Sequence, residues 1–132
     1  MKITKNLGIW MNHSVAHIIA LSDDSIETLI IEHEHKDASI HRSENVQHNK
    51  EQQQQTVFYK KIAEVIKNYQ DVILFGPTNA KLELSNILIA DHHFDRISIN
   101  IENAEKMTEN QEHAFVKEYF ATHLYAINHS NV

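Results

Sequence analysis

Leu74-Phe75-Gly76-Pro77-Thr78-Asn79-Ala80-Lys81 is the stretch on which the fold turns. It reads as the end of an apolar strand that breaks at Gly76-Pro77 and enters a helix with a lysine in its first turn. Pro77 has no N–H to give to a ladder, so the strand cannot run on through it. Upstream, Asp71-Val72-Ile73-Leu74-Phe75 is short and apolar, as a buried strand is. Downstream, Ala80, Leu84, Ile87 and Leu88 mark one face of a helix.

The same alternation extends both ways. Phe58, Ile62, Val65, Ile66 and Tyr69 fall on one helical stripe before the strand. Arg96-Ile97-Ser98-Ile99-Asn100-Ile101 alternates as a half-buried strand after it. Thr108 and Gln111 have the spacing of a capping box, which opens a last helix with Phe115, Val116, Tyr119, Phe120 and Leu124 on its apolar face.

Residues 7–35 are different. Residues 7–12 and 15–21 read as strands around the turn Asn12-His13-Ser14, and a second turn at Ser22-Asp23-Asp24-Ser25 leads to a third strand over 26–35. Three consecutive strands joined by tight turns form an antiparallel meander. The order is therefore βββαβαβα. Strands joined through helices are parallel. The expected fold is a single α/β domain over 1–132, with its core in 7–124. Its five-stranded mixed sheet has three antiparallel strands, then two parallel ones, and about three helices.

Residues 36–51 are polar and lack any period, and are expected to form a flexible polar loop. Gln52 to Gln55 suit the first turns of the helix that follows.

Composition narrows the functional classes. No run of about 18 apolar residues is present, so no membrane span is expected. There is no cysteine, which removes disulfide and thiolate chemistry and points to a cytoplasmic home. The net charge of −6 argues against a broad nucleic-acid face, so free DNA is not an expected partner.

The strand order, with its long polar stretch before the first helix, resembles the middle domain of archaeal and eukaryotic class 1 release factors and of Pelota. The matching residues are Ile73-Leu74-Phe75-Gly76-Pro77, Lys81 on the next helix, and Phe58-Tyr59-Lys60-Lys61-Ile62-Ala63. The chain is most similar to small stand-alone bacterial relatives of that domain. It shares with them Gly8-Ile9-Trp10, the turn from Phe75 to Lys81, and the run from Lys106 to Phe120. The resemblance spans residues 7–124. It implies a ribonuclease-H-like fold of the translational machinery component type, and a ribosome, RNA or protein partner.

One departure limits what the resemblance implies. Release factors carry a Gly-Gly-Gln tripeptide before the first helix, and this supports peptidyl-tRNA hydrolysis. This chain has only two glycines, Gly8 and Gly76, so Gln47 and Gln52 to Gln55 have no glycine pair beside them. Termination chemistry is not implied.

Several residue groups carry a possible chemistry. Gly76, Pro77, Thr78, Asn79 and Lys81 resemble a phosphate-binding turn at a helix N-terminus. The second glycine and the Lys-Ser/Thr pair of a P-loop are missing, and the plain alternative is a tight turn with Thr78 or Asn79 as N-cap. Lys60 and Lys61, with Gln47 and His48 in the polar stretch, are candidate RNA contacts or an ordinary solvated face. Eleven histidines are present, and His33, His35, His41 and His48 are the candidate metal ligands, although no H-E-x-x-H spacing occurs. His92 and His93 are read as the end of a helix. A two-metal nuclease would need carboxylates that converge, and Asp23, Asp24 and Asp71 do not. Trp10 reads as a core residue. Glu105, Glu109, Glu112 and Glu118, with Lys106 and Lys117, read as charged surface.

The expected function is a non-enzymatic binding module related to translation factors, without a cofactor. The alternative is a histidine-based metal binder or sensor.

Overall fold

The computed structural model describes residues 6–22, 25–33 and 44–130, with 44–51 and 123–130 described as helical backbone alone. Strands β1 (Asn6–Met11), β2 (Val15–Leu21) and β3 (Ile26–Glu32) form the meander. Then come α1 (Glu44–Ile66), β4 (Asp71–Gly76), α2 (Ala80–Ile89), β5 (Ser98–Asn103) and α3 (Glu109–Ser130). The five strands form one sheet in the order β3-β2-β1-β4-β5. β1 and β3 run antiparallel to β2, while β4 is parallel to both β1 and β5. The α/β fold and mixed sheet are those that the sequence pattern predicts.

Strand alternation divides the core into two layers. Leu7, Ile9 and Met11 of β1 and Val72 and Leu74 of β4 pack on one side with Phe58 and Ile62 of α1 and Leu84 and Leu88 of α2. Trp10, Ile73 and Phe75 pack on the other with Val116 and Phe120 of α3. β1 and β4 are buried on both faces, which is why they read as continuous apolar runs.

Several boundaries and burials differ from expectation. Helix α1 starts at Glu44, so residues 44–51 are helical where a loop through 51 is expected; 36–43 lie outside the described residues. Glu, Gln and Lys are good helix formers, and a helix anchored by Phe58 and Ile62 propagates backwards through them. β5 starts at Ser98 rather than at Arg96, because Ile97 N–H donates to Phe94 O in a closing turn. His92 and His93 belong to a separate 3-10 turn, His92–Phe94, whose cap is the Asp91 carboxylate accepting from His93 N–H. Ile87, placed on the buried face by its spacing, is exposed, as are Leu29 and Ile30 on β3.

The capping box forms as its spacing predicts. Thr108 N–H donates to Gln111 Oε1 at 2.9 Å, and Gln111 N–H donates to Thr108 Oγ1 at 3.2 Å.

Candidate functional site

The parallel neighbours β1 and β4 end side by side at Met11 and Gly76, the edge where open α/β sheets bind ligands. Gly76 has φ +150, and a Cβ there would lie 2.1 Å from Met11 O. Only glycine fits, because two backbones meet without room for a side chain. The chain then turns through exposed Pro77 into α2.

This turn satisfies itself. Thr78 Oγ1 accepts from Ala80 N–H at 3.2 Å, while Asn79 makes no side-chain cap bond. Lys81 is buried, and its Nζ donates to Thr78 O at 2.5 Å. Burial holds its amino group below the ordinary lysine range. Of the sequence candidates, Gly76 to Lys81 are thus brought together. The lysine is turned back into its own turn, and the carboxylate of Glu83 occupies the first turn of α2.

A second network touches this edge. Asn12 Oδ1 accepts from Ser14 N–H at 2.8 Å and Val15 N–H at 2.9 Å, which holds His13 at the tip of the β1–β2 turn. His13 Nε2 lies 3.2 Å from Glu83 Oε2. Tyr59 of α1 donates its hydroxyl to Glu83 Oε1 at 2.6 Å, and Gln55 donates its amide to His13 O at 3.4 Å. The Tyr59 hydrogen bond, helped by His13, holds the Glu83 carboxyl below the usual range. Burial, then the Glu83 bond and charge, push the Tyr59 phenol up. The three side chains tie α1, α2 and the first turn together at one end of the sheet. Among the described residues no serine or threonine hydroxyl is hydrogen-bonded to His13.

Sequence reasoning missed this network. Tyr59 sits one residue off the apolar stripe, and His13 and Glu83 are 70 positions apart, so no local pattern joins them.

The other candidates are dispersed. Lys60 and Lys61 are exposed on α1, and Lys60 lines an open groove with Gln52, Gln53, Thr56 and Val57. Gln47 and His48 lie on the first turns of α1, with side chains outside the description. His33 is buried with its ring 5.6 Å from that of Phe58, and His35 and His41 lie outside the described residues. Among the described residues no three His, Cys, Asp or Glu side chains group as a metal site. Asp71 opens β4 at the opposite end of the sheet from Gly76, and Asp23 and Asp24 lie outside the described residues.

Glu112 is not surface, contrary to its reading as such. It is buried under α3, with both carboxylate oxygens 3.0 Å from His17 Nδ1. The His17 ring stacks on Trp10 at 5.1 Å, and Trp10 lies in the core as predicted.

No protein-family model matches the chain. No curated protein matches it either. Two solved Pelota structures share its fold. The Thermoplasma acidophilum Pelota protein superposes at TM-score 0.56 and 14% identity, over 82% of this chain and 30% of its own. Archaeoglobus fulgidus Pelota does so at TM-score 0.53 and 12% identity, over 97% of this chain and 38% of its own. An archaeal translation termination factor, aRF1, matches at TM-score 0.49 and 18% identity, over 95% of this chain and 42% of its own. The chain thus spans about a third of the length of the Pelota proteins it matches. Among the described residues no helix is long and apolar enough to cross a membrane.

Proposed function

We propose that this chain is a binding module of the translation-factor type, acting through its surface on the ribosome or on a protein of the translational machinery. The observation that carries this reading is the fold. The Pelota match extends over nearly the whole chain, and it coincides with the motifs that already resemble that family in sequence.

The module works without hydrolytic chemistry of its own. Both of its glycines are used inside the sheet. A Cβ on Gly8 would lie 2.3 Å from Val116 Cγ2, and Gly76 abuts Met11. The polar stretch over 36–51 has no glycine with which a backbone could approach RNA closely. Contact then runs through side chains, with Gln47 and His48 on the first turns of α1 and Lys60 and Lys61 further along it. The metal-binding alternative gains no support from the described residues.

A tagged full chain and its Lys60→Glu/Lys61→Glu variant, each used to capture partners from the native cell, test the reading. Ribosomal components should elute with the parent and fall several-fold with the variant. An eluate free of ribosomal and translation-factor proteins would contradict it.

A further inference from the structure

Among the described residues the outer edge of β3 is open. It is the terminal strand of the sheet, and among the described residues no strand pairs with its far side. The ladder fixes which groups face outwards. His33 N–H donates to Ser14 O, and Ser22 N–H donates to Ser25 O, at the two ends of the β2–β3 pairing. In an antiparallel ladder hydrogen-bonded pairs recur every second residue. Ser25, Glu27, Leu29, Ile31 and His33 therefore point their backbone groups at β2. Ile26, Thr28, Ile30 and Glu32 point theirs away from β2, where no described strand pairs with them.

The side chains along this edge are unusual for an unpaired strand. Leu29 is 53% and Ile30 is 56% exposed, one on each face of the sheet. α3 stops short of covering Ile30. It reaches Thr28 through His113 Nε2 at 3.1 Å. Natural edges are usually blunted by lysine, proline or a bulge. Here Glu27 and Glu32 bracket a run of Thr28, Leu29, Ile30 and Ile31, and the sequence of the meander shares their sign. Residues 6–35 contain no Lys or Arg and have five acidic residues: Asp23, Asp24, Glu27, Glu32 and Glu34.

We propose that β3 is a docking edge for an extended peptide segment of another protein, apolar at its centre and flanked by Lys or Arg. The peptide adds as a sixth strand, its backbone bonding to the outward groups of Ile26, Thr28, Ile30 and Glu32. Its apolar side chains cover Leu29 and Ile30, and its basic flanks meet Glu27 and Glu32. Charge selects this occupant over a second copy of the chain. In a full-length antiparallel β3–β3 pair, outward groups stand opposite outward groups, so Thr28 faces Ile30 and Ile26 faces Glu32. Glu27 of one copy then lies next to Glu32 of the other at both ends, with no Lys or Arg in 6–35 to offset them. Like charges brought this close disfavour such a pair.

The test uses the full chain and two fluorescent peptides. Both have an alternating Val-Thr centre, one with Lys at each end and one with Glu. In low salt, anisotropy should show the Lys peptide bound about tenfold more tightly, as two exposed charge pairs allow. Hydrogen exchange should slow at the amides of Ile26, Thr28, Ile30 and Glu32 when it binds. Ile30→Pro removes one outward N–H without touching the β2 ladder, and should abolish binding while the Leu29 and Ile31 amides stay protected. If that variant fails to fold, Glu27→Lys/Glu32→Lys carries the test, because it should reverse the preference towards the Glu peptide. Equal binding of the two peptides, protection located elsewhere, or an unchanged preference after charge reversal would overturn the proposal. So would a dimer of the chain that the Lys peptide does not dissociate.

Discussion

Gly76 and Tyr59 show how single residues set the candidate edge. At Gly76 the backbone has φ +150 and sits against the carbonyl of Met11. Any Cβ there adds strain and a backbone clash together. Gly76→Ala should cost roughly 3 kcal/mol or more in a urea titration, the scale of a strained site plus local overpacking. A change below about 1 kcal/mol would mean that β1 and β4 part easily at their ends. Tyr59 acts through Glu83. The carboxyl has its pKa depressed in the folded state, chiefly by the tyrosine hydroxyl. A depressed carboxyl contributes stability above its unfolded pKa and loses it as pH falls through the folded one. Tyr59→Phe should therefore cost about 1–2 kcal/mol near neutral pH, with the difference from the parent narrowing on the acid side of the ordinary carboxylate range. Urea midpoints measured across that range read this directly. A gap that stays constant with pH would show that the lost bond does not involve the charged form of Glu83.

At the scale of elements, α3 is seated by close approach. Gly8 of β1 leaves space that Val116 fills, and Glu112 buries its carboxylate against His17 beside it. Gly8→Ala should overpack this contact by about 1–3 kcal/mol. Val116→Ala opens a void and should cost a similar amount. Combined, they should cost clearly less than their sum, because the new methyl enters the space the valine leaves. Additive costs would place the Gly8 effect elsewhere than at α3. The elements themselves were largely legible in sequence. Period-2 and period-3.6 patterns located the five strands and three α-helices of the described residues, because β1, β4 and the helix stripes are governed by burial, but not the 3-10 turn His92–Phe94. The misjudged details were governed by other forces. The backward reach of α1 to Glu44 follows propensity where no core residue marks the limit. Leu29 and Ile30, for which the sequence pattern gives no burial reading, are exposed because β3 lies at the edge of the sheet, and composition does not carry that information. The burial of Glu112 needs a partner, His17, which lies 95 positions away.

For the whole molecule, the fold was readable, but the network at its candidate site was not. The Gly76–Lys81 turn was visible because glycine, proline and a cap residue act locally. The His13–Glu83–Tyr59 network is assembled only by the sheet order β3-β2-β1-β4-β5, which brings three distant segments to one edge. The central claim is the proposed one, that the module binds the translational machinery through its surface along α1. Sedimentation of native cell extract through a sucrose gradient at low salt, with the untagged protein followed by antibody, tests it most directly. The protein should travel with ribosomes or their subunits and shift to the top of the gradient as salt screens its polar contacts. A signal confined to the top at low salt would contradict the claim.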